Sequence, residues 1–242
     1  MKILQLLKQK QSDLAGCKPV TVAFLGDSVT QGCFECYETS PESVETVFEA
    51  KSAYSARFKE LLNLLYPSVQ INIVNSGISG DYASGGFVRL ERDVLSYSPD
   101  LAVVSYGLND SCNGAEKIGE YTEALQNIFA ALKQKNVETI FLTQNCMNTA
   151  ISPHLKGELS VRLAKNFAAV QNGGVLKTYF EAARKVCKEY GIPVCEIYPV
   201  WEKMAQAGVN VTELLVNKFN HPIREFHYYT AIRLLEKIFE VQ

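Results

Sequence analysis

Four short polar stretches of this chain hold residue types that could perform chemistry together. A serine hydroxyl is a weak nucleophile until a neighbouring base removes its proton, and histidine has an unperturbed pKa near neutrality. Glycine backbones and asparagine side chains can offer N–H donors to a developing negative charge. The four stretches are Gly26-Asp27-Ser28, the loop with Gly77 and Gly80, Gly107-Leu108-Asn109-Asp110, and Asn220-His221-Pro222.

The serine of the first stretch follows an apolar run, residues 20–25, that Gly26 ends. Both faces of this run are apolar, which is typical of a buried parallel strand. Open α/β sheets bind their ligands at the carboxyl ends of such strands, where Ser28 stands. A turn or a cap on the next helix is the structural alternative, because Asp and Ser are common helix N-caps. This stretch alone leaves both interpretations open.

The second and third stretches also follow predicted strands. Residues 69–75 alternate apolar and polar side chains and lead to Gly77 and Gly80, whose backbones could approach a ligand closely. A loop that only needs flexibility would use the same glycines. Residues 101–106 form another apolar run, and Asn109 and Asp110 follow its end.

Strand-like and helix-like segments alternate along the chain, which predicts an α/β fold. Further strands are predicted at residues 137–143 and 191–197, and the last helix at about 225–241. Such alternation implies a parallel sheet with helices on both faces, joined by right-handed crossovers. We predict a three-layer α/β/α sandwich whose five-stranded parallel sheet has the flavodoxin-like order 2-1-3-4-5. The loops after the first three strands would then meet at one end of the sheet.

The composition fits one soluble globular domain over residues 1–242, with 47% hydrophobic and 21% charged residues. A formal net charge of −2 indicates no nucleic-acid partner, and no apolar run approaches the roughly 20 residues of a membrane span. Residues 1–14 lack the features of a signal peptide, and the seven cysteines are odd in number and scattered. We therefore expect reduced thiols and a cytoplasmic location. The sequence does not indicate the oligomeric state.

Two long segments, near residues 33–50 and 144–172, are predicted to be insertions beside the candidate site. Long loops in a compact domain are usually functional, and we expect residues 35–49 to lie over the mouth of the site. Cys33 and Cys36 have the spacing of a metal knuckle, but the chain has no second ligand pair at similar spacing. We predict no metal site and a structural or incidental role for these two thiols.

The order and spacing of the four stretches resemble the SGNH, or GDSL, family of esterases and lipases over nearly the whole chain. The resemblance implies an acylhydrolase with Ser28 as the nucleophile and His221 as its base. It also implies an oxyanion hole made by the backbone N–H groups of Ser28 and Gly80 and by the side-chain amide of Asn109. We expect no cofactor.

One position departs from the family pattern. The family generally carries an aspartate three residues before the catalytic histidine, where this chain has Lys218. If the loop has one extra residue, Asn217 takes the orienting position and its amide oxygen could accept a hydrogen bond from the histidine ring. A backbone carbonyl could do the same. We therefore predict a Ser–His dyad with neutral assistance, in which the third member is Asn217 or a backbone carbonyl.

The other histidines and the single tryptophan are interpreted as structural. His227 begins the last predicted helix, so packing or capping is favoured over catalysis. His154 lies in the second insertion, where contact with solvent or substrate is favoured over catalysis. Trp201 is expected in the core.

Four charged residues close to the motifs are also interpreted as structural. We expect Asp27 and Asp110 to hold the strand-end loops by accepting backbone N–H bonds. Arg89 and Arg92 follow the second motif on a predicted amphipathic helix, and we expect both to be solvated.

The favoured function is hydrolysis of a small-molecule ester with a short acyl group, such as an acetylated carbohydrate. The alternative is a catalytically silent carbohydrate-binding or scaffold protein on the same fold, which only the missing aspartate supports. A flavodoxin-like nucleotide binder is disfavoured, because the first loop lacks a glycine-rich phosphate cradle. The acyl and leaving-group preferences depend on the two insertions.

Overall fold

The computed structural model describes residues 1–240 of the chain, and within that range five parallel strands form one sheet. When only these strands are numbered along the chain, the sheet has the order 2-1-3-4-5, which confirms the prediction. The strands are β1 (Val20–Gly26), β2 (Ile71–Gly77), β3 (Leu101–Ser105), β4 (Glu138–Leu142) and β5 (Val194–Cys195).

The register of the central strands brings three chain segments to one edge of the sheet. Gly26 at the end of β1 pairs with Gly77 of β2 on one side and with Ser105 of β3 on the other. The loops that follow these strands therefore begin next to one another. This alignment gathers the first three polar stretches, as the parallel arrangement predicted.

Helices cover both faces of the sheet, which confirms the three-layer α/β/α architecture. On one side α10 (Arg224–Glu240) contacts α1 (Lys2–Ser12) and α3 (Tyr54–Leu65). On the other side α6 (Ile118–Gln134) contacts α4 (Ala83–Asp93) and α8 (Val175–Tyr190). The predicted end of the last helix, Val241, lies outside the described residues.

Four further helices and four 3₁₀ turns complete the helical elements of the described residues. They are α2 (Ser28–Gln31), α5 (Leu108–Ser111), α7 (Glu158–Asn172) and α9 (Tyr198–Gln206), with 3₁₀ turns at Ala50–Ser52, Leu95–Tyr97, Ala115–Lys117 and Val211–Leu214. Within residues 1–240 no helix is both long and apolar enough to cross a membrane.

The first predicted insertion is an antiparallel hairpin, with strands Cys33–Ser40 and Ser43–Phe48. One residue separates this hairpin from the end of α2, and the hairpin is closed at its base by the pair Cys33 and Phe48. The second insertion is irregular after β4 and then continues as α7. All seven cysteines are free thiols.

Candidate active site

Ser28 lies at the carboxyl end of β1, as the first residue of α2. Asp27 caps this helix by accepting the N–H of Val29 at 3.0 Å. A Cβ added at Gly26 would clash with the side-chain oxygen of Thr30 and lie 2.7 Å from the backbone carbonyl oxygen of Ser105, so the close packing at the end of β1 requires glycine. The first N–H groups of a helix have no intrahelical acceptor, which leaves the Ser28 N–H available to a ligand.

His221 lies beside Ser28, with 3.0 Å between Nε2 and the serine Oγ. Its other ring nitrogen, Nδ1, lies 2.9 Å from the backbone carbonyl oxygen of Phe34 in the hairpin. A carbonyl can only accept, so Nδ1 carries the proton and Nε2 presents its lone pair to the serine hydroxyl. Burial lowers the pKa of His221 to about 4, although the Phe34 carbonyl acts in the opposite direction. The ring is therefore neutral at pH 7.

Asn217 does not orient the imidazole ring, and this corrects one of the two alternatives. Its Oδ1 accepts the backbone N–H groups of Phe219, Asn220 and His221 at 3.1, 3.0 and 2.9 Å. These bonds shape the turn before His221 and use the amide oxygen that was predicted to face Nδ1. The hairpin instead brings the Phe34 carbonyl to Nδ1, which is the backbone alternative.

Gly80 and Asn109 follow the neighbouring strands and complete the candidate donor set. Gly80 has a positive φ of 78°, and no described atom lies within 4 Å of a Cβ built there, so its surroundings are open. Asn109 donates one side-chain N–H to the carbonyl of Asp81 at 3.0 Å. This bond fixes the amide orientation and leaves the second N–H of Nδ2 for another acceptor.

The sequence profile of the GDSL-like Lipase/Acylhydrolase family matches residues 24–227. The chain belongs to the GDSL-like lipase/acylhydrolase family. The matched span contains all four motif stretches, so the resemblance that they predicted is confirmed.

Relatives of this GDSL-like chain include esterases of acetylated polysaccharides. An acetylxylan esterase from Geobacillus stearothermophilus is 34% identical over 87 residues, which cover 36% of this chain and only 38% of the relative. A structure of a variant acetylxylan esterase from the same organism has a TM-score of 0.66 and 21% identity, over 90% of this chain and 94% of that chain. The structure of a two-domain esterase active on acetylated mannans has a TM-score of 0.65 and 16% identity, over 99% of this chain and 52% of that chain. These structural similarities show a shared fold.

Gln144 connects two motif loops of the GDSL-like chain and was not singled out from the sequence. Its Nε2 donates to Asp27 at 2.8 Å, and its Oε1 accepts the N–H of Leu108 at 3.0 Å. The amide therefore bridges the residue before Ser28 and the residue before Asn109. Burial raises the pKa of Asp27 to about 7, with the hydrogen bond from Gln144 acting in the opposite direction.

Arg89 is buried, which corrects the expectation that it is solvated. Its guanidinium donates to the carbonyls of Gly26 and Ser76 at 3.0 and 2.6 Å, and pairs with the Asp81 carboxylate at 2.7 Å. It also donates to the Tyr106 hydroxyl at 2.8 Å. One cation thus holds the ends of β1 and β2 and the residue after Gly80. Arg92 is exposed, as predicted.

The two predicted structural aspartates take the roles expected of them. Asp27 accepts the N–H of Val29, and Asp110 accepts the N–H of Ala83 at 2.9 Å. Burial raises the pKa of Asp110 to about 6, and its Oδ2 is buried without a partner in the described chain. Both carboxyl groups thus fasten loops at the same edge of the sheet.

His227, Trp201 and His154 lie where the sequence interpretation put them. His227 is buried, accepts the N–H of Tyr54 at 3.2 Å and packs against the ring of Phe34. Trp201 is fully buried in the core. His154 is exposed in the second insertion.

The two hairpin cysteines have different surroundings. Cys33 is buried, and burial raises the pKa of its thiol to about 12, so it is protonated at neutral pH. Cys36 is half-buried, with its Sγ 3.9 Å from His221 Nδ1. Within residues 1–240 no group of three or more His, Cys, Asp or Glu side chains could hold a metal ion.

Proposed function

We propose that this GDSL-like protein is a serine-dependent hydrolase of esters with short acyl groups, such as acetylated carbohydrates. The observation that carries the proposal is the 3.0 Å contact between Ser28 Oγ and the unprotonated Nε2 of His221. Nucleophile and base within hydrogen-bond reach, with the base held by a further group, is the arrangement that activates a serine hydroxyl.

The first half of the reaction forms an acyl-enzyme. Ser28 Oγ attacks the ester carbonyl carbon while its proton moves to Nε2 of His221. The carbonyl oxygen becomes an oxyanion and accepts hydrogen bonds from the backbone N–H groups of Ser28 and Gly80 and from Nδ2 of Asn109. When the tetrahedral intermediate collapses, Nε2 returns its proton to the leaving alkoxide, which departs as an alcohol.

The second half releases the acid. A water molecule gives a proton to Nε2 of His221 and attacks the acyl carbonyl, and the same donors hold the second oxyanion. Collapse of this intermediate returns the proton to Ser28 Oγ and frees the carboxylic acid. Neither half requires a cofactor.

The neutral partner of His221 has a chemical consequence. The Phe34 carbonyl fixes the ring and its tautomer, but it adds no negative charge opposite the imidazolium that forms during attack. Desolvation also disfavours that cation, as the lowered pKa of His221 indicates. Catalysis therefore relies strongly on the oxyanion donors and on the fixed geometry.

The substrate class rests on the relatives. An acetylxylan esterase is among them, and a structural neighbour is active on acetylated mannans. A small acetylated carbohydrate is accordingly the proposed partner. A cytoplasmic location and the absence of a nucleic-acid partner stay predictions from the sequence.

Hydrolysis of p-nitrophenyl acetate tests the proposed function. The wild-type protein should hydrolyse this ester, whereas Ser28→Ala should lose the activity and keep the melting temperature of the wild type. A wild-type protein with no esterase activity on this ester or on acetylated xylo-oligosaccharides would favour the silent carbohydrate-binding alternative.

A further inference from the structure

A cavity of about 490 Å³ lies between the two insertions. One wall is the hairpin strand that contains Cys36, Tyr37 and Glu38, and the opposite wall is the segment from His154 to Gly157. The turn before His221 closes the third side. The cavity is of the size that small-molecule sites in proteins have.

The cavity adjoins the histidine side of the candidate active site. Cys36 lines it, and the Sγ of Cys36 lies 3.9 Å from His221 Nδ1. Asn217, which also lines it, accepts the backbone N–H of His221. Ser28 contacts the opposite nitrogen of the ring at 3.0 Å, so the imidazole of His221 lies between the nucleophile and this wall.

The proposed reaction gives this side a defined occupant. The general acid must reach the leaving oxygen, so the alcohol part of an ester lies on the side of His221. The acyl oxygen points instead towards Gly80 and Asn109. A large alcohol attached to an ester at Ser28 would therefore extend past the imidazole towards the cavity.

The wall chemistry suits a neutral polyhydroxylated group. Three charged side chains that line the cavity already have partners. Glu35 pairs with Arg224 at 2.8 Å, and Lys218 pairs with Glu213 at 2.8 Å. Glu38 accepts the backbone N–H of Ser160 at 3.1 Å. The two ion pairs compensate the charges of Glu35 and Lys218, and all three groups retain lone pairs or N–H bonds that hydroxyl groups can use.

An aromatic side chain completes the wall. Tyr37 is 59% exposed although it is a large apolar residue, and it lines the cavity. A rigid aromatic ring offers contact area at low entropic cost, and its hydroxyl can reach polar partners. An exposed ring beside paired polar groups is the combination that can contact both the C–H face and the hydroxyls of a sugar.

We propose that this cavity is the subsite for the sugar part of a carbohydrate ester, with Tyr37 as its aromatic platform and Glu38, His154 and Lys156 as hydrogen-bonding groups. This inference rests on the proposed function, since the sugar enters as the leaving group. The cavity then selects the alcohol, while the acyl group is held at the oxyanion side.

Kinetics with two substrates test the subsite. For Tyr37→Ala, we expect KM for an acetylated xylo-oligosaccharide to rise about fivefold to tenfold, whereas kcat/KM for p-nitrophenyl acetate, which carries no sugar, stays within twofold of the wild type. Tyr37→Phe should keep most of the platform and lie near the wild type. Tyr97→Ala is the matched control, because Tyr97 is 57% exposed at the opposite edge of the sheet. Equal changes with both substrates, or no change with the oligosaccharide, would overturn the inference.

A binding measurement separates this inference from the proposed function. Calorimetry with the acetylated xylo-oligosaccharide and Ser28→Ala protein should show binding that is weakened about fivefold to tenfold by adding Tyr37→Ala. If the wild-type protein has no esterase activity but the oligosaccharide binds in a way that depends on Tyr37, the proposed hydrolase function is wrong and the sugar subsite is supported. If Tyr37→Ala leaves the binding of the oligosaccharide unchanged, the subsite proposal is wrong, whether or not the protein hydrolyses esters.

Discussion

The backbone carbonyl oxygen of Phe34 accepts the Nδ1–H of His221 at 2.9 Å. Phe34 belongs to the hairpin that follows α2, so the segment that begins five residues after Ser28 also holds the imidazole ring that faces Ser28. A backbone acceptor is uncharged and does not titrate. The ring therefore gains a fixed tautomer without the electrostatic support that a carboxylate gives.

Asn109 is the side chain whose removal should affect the chemical step most selectively. Since one N–H of Nδ2 is held by the Asp81 carbonyl, the other remains available for the proposed oxyanion. Asn109→Ala should lower kcat roughly 10²–10³-fold with little change in KM. Steady-state kinetics with p-nitrophenyl acetate measure both. A variant that changed KM alone would show that Asn109 binds substrate and transition state equally.

Asn217 should matter for the turn before His221 and not for the acidity of the ring. Asn217→Ala removes the oxygen that accepts three backbone N–H groups, so the free energy of unfolding should fall by about 1–3 kcal/mol. Asn217→Asp keeps an acceptor oxygen and should retain more of that stability. Asn217→Ala removes no charge and should leave the acid limb of the pH profile in place. A shift of that limb in Asn217→Ala would indicate that the Asn217 side chain contacts the ring.

The pH profile should report the burial of His221. Because desolvation lowers the pKa of His221 to about 4, the neutral base persists well below the usual histidine range. The acid limb of kcat/KM should therefore lie near pH 4, well below the ordinary value of 6.5. In the unfolded chain His221 titrates at its ordinary pKa of 6.5, so between pH 6.5 and 4 the unfolded state binds a proton that the folded state does not. The free energy of unfolding therefore decreases as the pH falls through this range.

Asp27 provides the control for that profile. Burial raises the pKa of Asp27 to about 7, so a limb near pH 7 could come from this residue. The acid limb assigned to His221 should remain in Asp27→Asn. A half-maximal rate near pH 6.5 in both proteins would contradict the assignment.

Arg89 should be far more sensitive than its neighbour Arg92. Arg89→Met leaves the Asp81 carboxylate without its buried cation and frees the carbonyls of Gly26 and Ser76, so we expect a loss of about 3–5 kcal/mol in stability. Arg92→Met, at an exposed position, should change stability by no more than about 0.5 kcal/mol. Urea unfolding of the two variants measures the difference. Similar effects for both would show that the buried contacts of Arg89 contribute little.

The sheet and the meeting of the motifs were predictable, because they depend on patterns that side chains carry. Apolar runs ending in Gly26 and Tyr106 identify buried strands, and parallel strands bring their ends together. His221 comes from a distant loop, so only the family resemblance placed it beside Ser28. The same reasoning could not find the Phe34 carbonyl, since a backbone oxygen has no residue type that reveals it.

Arg89 had a signal in the sequence that the interpretation did not use. The buried face of α4 consists of Ala83, Gly86, Arg89 and Leu90, which repeat at helical spacing. A basic residue in line with small and apolar residues indicates a buried cation that needs acceptors. Gln144 carried a weaker signal, as a polar residue directly after a buried strand.

The site of covalent labelling by a fluorophosphonate tests the central claim most directly, because this reagent reacts with serines that a neighbouring base activates. Peptide mapping by mass spectrometry should find one label, on Ser28, in the wild-type protein and in Ser111→Ala, which removes a buried hydroxyl close to Asn109. Ser28→Ala should carry no label. A label on another residue, or a folded wild-type protein that remains unlabelled, would contradict the account in which His221, held by the Phe34 carbonyl, activates Ser28.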